Sequence, residues 1–234
     1  MQPLLKAENI VSYIGPYTIL HDVSLEVTPG EAVVILGRNG AGKTTFLKTI
    51  MGLVHTRSGI LEFDGETLVD KETHVIQRKG IGYVPEDYGI FDLLTVEENM
   101  RIAMWKEDAE TKARCDWVLD LFPDLKLAYK RFAKTLSGGQ RQMLSVGRAL
   151  VNDNRILLVD EPSKGLAPVI IQTLAGALKE ISRTTTVLLV EQNFAMACAV
   201  GQRFYIINEG KTVESGTMAD LIQNKELQAV HLGI

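Results

Sequence analysis

Gly37-Arg38-Asn39-Gly40-Ala41-Gly42-Lys43-Thr44 fits the phosphate-cradling pattern G-x-x-x-x-G-K-[ST] at every fixed position. Outward from it, Glu31-Ala32-Val33-Val34-Ile35-Leu36 reads as a buried strand, and Thr45-Phe46-Leu47-Lys48-Thr49-Ile50-Met51 reads as a helix. Strand, glycine-rich loop and helix, in that order, is the setting the pattern requires. The glycines let backbone N–H groups turn inward around anionic oxygens, and the helix N-terminus adds its positive dipole end. Lys43 has the length to reach β- and γ-phosphates, the Thr44 hydroxyl suits Mg²⁺, and Thr45 continues the cradle into the helix. An α/β fold that holds a nucleoside triphosphate is expected.

The next acidic signal lies far downstream. Ile156-Leu157-Leu158-Val159-Asp160-Glu161 is an apolar strand ending in two carboxylates, expected to lie beside the strand that delivers the phosphate loop. Alone, two acids at a strand end can be solvated turn residues. Behind a phosphate loop they divide the chemistry: Asp160 for Mg²⁺, through water, and Glu161 as base or orienter for a water in line with the γ-phosphate.

A third signal is Leu136-Ser137-Gly138-Gly139-Gln140, at the head of a helix carrying Met143, Leu144, Val146 and Leu150. Ser137 and Gln140 fit a capping box, so the serine has a purely local use. The two glycines do not, since each weakens a helix by about 1 kcal/mol relative to alanine. Close approach of another surface, such as a phosphate, would explain them.

Composition bounds the rest. The 234 residues suffice for one large folded unit with two lobes, and no second copy of the phosphate loop is present. No apolar run approaches the roughly 20 residues of a membrane-spanning helix. The N-terminal residues lack a cationic flank followed by an apolar segment, so cytoplasm is the default compartment. A net charge of -4 and the absence of a basic stripe argue against nucleic acid as a partner. Cys115 and Cys198 read as reduced packing thiols, and His21, His55, His74 and His231 are scattered without ligand spacing. Along the chain, short strands such as 23–27 and 59–63 give way at about 95–151 to helical patterning, including 96–104 and 112–122. Strand and helix then alternate again through 156–159, 169–182, 186–190 and 204–207, so both α/β parts must share one sheet.

Phosphate loop, then Leu136 to Gln140, then the strand ending in Asp160-Glu161, in that order within one chain, resembles the ATP-binding-cassette (ABC) ATPases. The likeness covers residues from about 5 to 223. It implies one ABC ATPase domain over 1–234, with a RecA-like core of the P-loop NTPase type, an antiparallel β subdomain and an inserted helical subdomain at about 95–151. It also implies that two cassettes pack head to tail. Ser137, Gly138, Gly139 and Gln140 of one would then face the ATP held by the phosphate loop of the other.

Finer features look like the smaller ATPase subunit of branched-chain amino-acid-type importers. They are Pro162-Ser163-Lys164-Gly165-Leu166-Ala167-Pro168, Val190-Glu191-Gln192-Asn193, Val84-Pro85-Glu86 and His231-Leu232-Gly233. Three positions depart from the general cassette pattern. Gln192 stands where most cassettes have a switch histidine, Glu86 where a glutamine is usual, and Ala167 where an aspartate crosses the dimer interface. A glutamine still donates an amide hydrogen bond to a γ-phosphate but does not titrate near neutrality. Glu86 either ligates Mg²⁺ or faces solvent. In these ATPases an aromatic near the N-terminus stacks on adenine; Tyr13 is the candidate, with Tyr17 competing because alignment through His21-Asp22-Val23-Ser24-Leu25 puts Ile14 at the relatives' tyrosine.

The resemblance therefore implies an ATP-hydrolysing motor subunit, peripheral on the cytoplasmic side of the inner membrane. Implied partners are two membrane permeases, a second ABC ATPase in a heterodimer or homodimer, and an extracytoplasmic solute-binding protein. The substrate class is branched-chain or related amino acids. A lipid or lipopolysaccharide exporter, or an importer of urea, amides or aromatic acids, is the alternative.

Overall fold

Three central strands are buried at every residue, and their alternating side chains feed two separate cores. The computed structural model describes residues 2–233, so Met1 and Ile234 of the expected 1–234 unit lie outside the described residues. The three strands are β3 (Ala32–Leu36), β7 (Ile156–Asp160) and β8 (Thr186–Val190), which follow two others, β1 (Leu5–Ile14) and β2 (Tyr17–Val27). Val34, Leu36, Leu157, Val159, Val187 and Leu189 point to one face. Val33, Ile35, Ile156, Leu158, Leu188 and Val190 point to the other. Such continuously apolar strands are what a sheet covered on both faces needs.

The remaining elements supply the covers. On the second face α1 (Lys43–Ile50) buries Phe46, Leu47 and Ile50. After β4 (His55–Phe63), β5 (Glu66–Thr67), α2 (Thr73–Arg78) and β6 (Ile81–Val84) come four helices. They are α3 (Val96–Ala103), α4 (Ala109–Leu121), α5 (Pro123–Leu127) and α6 (Gly138–Leu150). With α7 (Pro168–Ile181) and α8 (Phe194–Val200), these pack on the first face. Val96 and Met100 of α3, Val118 of α4 and Leu144 of α6 belong to the same apolar cluster as the sheet residues Val159 and Leu189, so the helical segment has no core of its own. β9 (Arg203–Asn208), β10 (Lys211–Thr217) and α9 (Met218–Gln223) complete the frame.

Ten strands among the described residues form one sheet in the order β5-β4-β1-β2-β10-β9-β3-β8-β7-β6. β9, β3, β8, β7 and β6 run parallel, whereas β1, β2, β4 and β5 pair antiparallel. One expectation fails here. The strand ending in Asp160 does not lie beside β3, because β8 pairs with both and separates them. All three are equally apolar and fully buried, so local sequence does not rank their neighbours. Strand 186–190 coincides with the sequence reading. The loop helix starts at Lys43 rather than Thr45, because Gly42, at φ 105, takes the N-cap position.

Candidate functional site

The site lies where β3, β7 and β8 end, the edge at which open parallel sheets gather their ligands. Between β3 and α1 the phosphate loop turns through Gly37, Gly40 and Gly42, all with positive φ. A Cβ on Gly37 would stand 2.2 Å from the Ile207 carbonyl oxygen, and one on Gly42 2.9 Å from the Leu20 side chain. Glycine at these two positions therefore lets the loop pack directly against β9 and β2. No side-chain cap occupies the α1 N-terminus, and its first turn carries no acid. Those N–H groups suit an anion.

Lys43 is 4% exposed and crosses back over this loop. Its ammonium donates to the carbonyls of Gly37 (2.9 Å) and Arg38 (3.2 Å) and pairs with Glu161 Oε1 at 3.1 Å. Glu161 follows β7 with φ 44, a left-handed conformation costing a non-glycine residue about 1–3 kcal/mol, held here by its N–H donating to the Val190 carbonyl at 2.9 Å. Such strain concentrates where a side chain must point against local preference.

Beside this pair, the Thr44 hydroxyl donates to Asp160 Oδ1 at 3.0 Å, and the Tyr83 hydroxyl approaches Oδ2 at 3.4 Å. Burial pushes the Asp160 carboxyl up to about 6, against the pull of the Thr44 hydroxyl and with added push from Glu161 and Glu86. Burial and the Asp160 carboxylate likewise push Tyr83 upward, so it stays a neutral donor. A hydroxyl and a buried carboxylate in contact are hard oxygen donors. Among the described residues no cluster of three or more His, Cys, Asp or Glu forms a closed metal cage. The Thr44 hydroxyl and Asp160 carboxylate fit Mg²⁺, which takes one or two protein ligands and completes its shell with water and phosphate.

An open cleft of 430 Å³ is lined by residues 39–45, Glu161, Glu86, Ile19 and Lys164, while the fully buried Asp160 meets it through Thr44. Glu86 enters it with its carboxylate on the Lys164 ammonium, not on Thr44 or Asp160. An adjoining cleft of 370 Å³ joins Glu161 and Lys164 to Ser163, Glu191, Gln192 and Asn193. Gln192 is thus near Glu161, and its backbone N–H donates to Glu191 Oε2 at 3.0 Å.

Other expected residues stand apart from this cleft. Ser137 caps α6 in a full capping box with Gln140, accepting from the Gln140 N–H at 3.3 Å while Gln140 accepts from Ser137 at 3.1 Å. A Cβ on Gly139 would meet Ile170 of α7 at 2.7 Å, so one of the two helix-weakening glycines answers a neighbour within the chain. On Gly138 it would make only ordinary contacts, 3.6 Å from Leu166, which leaves that position open to an outside surface. Tyr13 is 40% exposed and stacks on His55 with ring centroids 6.2 Å apart; Tyr17, beyond the turn between β1 and β2, is 72% exposed. Neither lines the cleft.

Tyr83, Ile19, Lys164 and the pair Ser163–Glu191 have no role in the sequence reading. Tyr83 sits one strand away from Asp160 in β6, and sequence spacing gives no sign of that pairing. Glu191 could have been singled out: an acid directly after the four apolar residues Val187 to Val190 has the same pattern as Asp160 after Ile156 to Val159.

A glycine-lined cradle, an inward lysine and a paired hydroxyl and carboxylate at the carboxyl ends of parallel strands define a P-loop nucleotide-binding ATPase of the α/β class. Residues 20–164 match the family model for the ABC transporter. Over 232 residues the chain is 42% identical to the "High-affinity branched-chain amino acid transport ATP-binding protein BraG" of Pseudomonas aeruginosa, covering 98% of this chain and 100% of that one. It is 36% identical to the "Probable branched-chain amino acid transport ATP-binding protein LivF" of Archaeoglobus fulgidus, covering 92% and 93%. It is 32% identical to the "Lipopolysaccharide export system ATP-binding protein LptB" of Haemophilus influenzae, covering 98% and 97%. The crystal structure of the ADP conformation of an ATP-binding cassette of an ABC transporter superposes with a TM-score of 0.85 at 24% identity, over the full length of both chains. The chain belongs to the ABC transporter family and is one of its ATP-binding, ATP-hydrolysing subunits. A transport subunit of this kind works with a membrane-embedded partner, and among the described residues no helix is long and apolar enough to cross a membrane.

Proposed function

We propose that this subunit powers uptake of branched-chain or closely related amino acids, peripheral on the cytoplasmic face of the inner membrane. The observation that carries the substrate class is the end-to-end 42% identity with a relative named for that transport, against 32% for one named for lipopolysaccharide export. Two permeases, a second ABC ATPase and an extracytoplasmic binding protein complete the assembly.

The chemistry rests on the Lys43, Thr44, Asp160 and Glu161 constellation. Lys43 and the loop N–H groups hold the triphosphate. Thr44 and Asp160 hold Mg²⁺, which when bound neutralises phosphate charge. Glu161 orients the attacking water and takes its proton, and the Gln192 amide donates to the γ-phosphate. Ser137, Gly138, Gly139 and Gln140 face the nucleotide of the neighbouring cassette. Contacts made to the γ-phosphate from both sides favour the closed pair, and hydrolysis removes that preference.

Vesicles carrying the subunit with its permeases, sister ATPase and binding protein test the reading. ATP-dependent accumulation of leucine, lost with Glu161→Gln, is expected. Uptake of urea, an amide or an aromatic acid with no leucine uptake would replace the substrate class.

A further inference from the structure

One buried carboxylate ties together the two loops that leave β7 and β8. Glu191 directly follows β8 and is 1% exposed. Its Oε1 accepts from the Ser163 backbone N–H at 3.0 Å. Its Oε2 accepts from the Ser163 hydroxyl at 2.9 Å, from the Gln192 N–H at 3.0 Å and from the Asn193 N–H at 2.8 Å. Asn193 in turn caps α8, its side chain accepting from the Met196 N–H at 3.0 Å.

These contacts have a direction. Ser163 stands two positions after Glu161, whose own N–H is fastened to Val190, the residue before Glu191. The Glu191 fork therefore grips the Glu161 loop with one residue and the Gln192 loop with two. Among the described residues, four donors and no cation compensate a carboxylate that burial disfavours. Where shape alone matters, an apolar side chain fills such a space at lower cost. Backbone N–H donors gathered on one acceptor instead fix the path of the chain.

We propose that Glu191 is a positioning residue for ATP turnover: its carboxylate locks the Glu161 loop to the Gln192 loop, so that both groups meet the terminal phosphate in one mutual geometry. This rests on the roles given above to Glu161 and Gln192. Glu191, 1% exposed and hydrogen-bonded to Ser163, Gln192 and Asn193, acts through the two loops.

Glu191→Gln keeps the volume but turns one acceptor of the fork into a donor, which sets an N–H against an N–H. Ser163→Ala removes one donor and leaves the carboxylate with the other three. In the assembled transporter we would measure steady-state ATP turnover, equilibrium binding of a non-hydrolysable ATP analogue, and thermal unfolding. For Glu191→Gln, kcat is expected to fall about tenfold or more while the analogue's Kd stays within about twofold, the signature of misplaced groups rather than lost binding. For Ser163→Ala a loss of about threefold in kcat, again without change in Kd, is expected. A kcat within about twofold of wild type in both variants overturns the proposal, as does a Kd that weakens in step with kcat. If Glu191→Gln fails to fold, Ser163→Ala decides alone. Glu161→Gln is run alongside: wild-type turnover there brings down the catalytic reading and this inference together, whereas its loss with none in Glu191→Gln or Ser163→Ala sinks the inference only.

Discussion

The ammonium of Lys43 stands 3.1 Å from Oε1 of Glu161, joining the phosphate loop after β3 to the acid after β7 across the intervening strand β8. With the Gly37 and Arg38 carbonyls, Glu161 completes three acceptors around that ammonium. On the proposed reading, a terminal phosphate reaching Lys43 would compete with Glu161 for the ammonium and would free the carboxylate for water.

Glu161→Gln removes the charge and keeps the shape. ATP turnover should fall by about 10²–10⁴-fold while nucleotide binding persists, read by phosphate release beside binding of labelled ATP. Near-wild-type turnover would strip Glu161 of the base role.

The two helix-start glycines should behave differently. Gly139→Ala drives a Cβ to 2.7 Å from Ile170, an overpacking worth about 1–3 kcal/mol less whatever helix propensity returns. Gly138→Ala meets nothing closer than 3.6 Å and should leave stability within about 0.5 kcal/mol. Urea unfolding of the two variants checks this. A Gly139→Ala protein as stable as wild type would return both glycines to the partner's nucleotide.

Nucleotide titration tests the proposal that Tyr13, rather than Tyr17, stacks on adenine. Tyr13→Ala should weaken ATP binding by about 1–3 kcal/mol, while Tyr17→Ala leaves it unchanged in the same titration. The reverse result would give the base to Tyr17.

Acid stability reports on Glu191. Burial raises its carboxyl above the ordinary 4.5, outweighing the pull of the Asn193, Ser163 and Gln192 donors. A folded value above the unfolded one means that the folded state holds the proton more tightly. Relative to Glu191→Gln, the wild type should lose stability as pH rises from about 4.5 through the raised folded value, then level off. Thermal midpoints of the two proteins across that range measure the difference, and a constant gap would contradict it.

Much of the cleft was legible in the sequence because its parts are local. The phosphate loop, Asp160-Glu161 and the capping box each need only neighbours within a few positions, and the strand 186–190 announces itself by five consecutive apolar or β-branched residues. What was not legible depends on residues far apart. Tyr83 meets Asp160 across 77 positions, and Gly139 is narrow because Ile170 lies over it. Ser163 and Glu191 were quoted as motif residues, yet nothing in their spacing of 28 positions says that one hydrogen-bonds the other.

The chain's order of residues alone set out a glycine-rich loop between a buried strand and a helix, a lysine and two acids in the pattern that suits a triphosphate, and strands and helices alternating around a shared sheet. These follow from short-range sterics and hydrogen bonding, which any stretch of chain carries with it. Only the tertiary structure decided that β8 separates the two active strands, that Lys43 reaches Glu161 across it, and that Glu191 gathers both loops. Strands buried on both faces are interchangeable by composition, so their order is set by how all the covering helices pack at once, and the site inherits its geometry from that order.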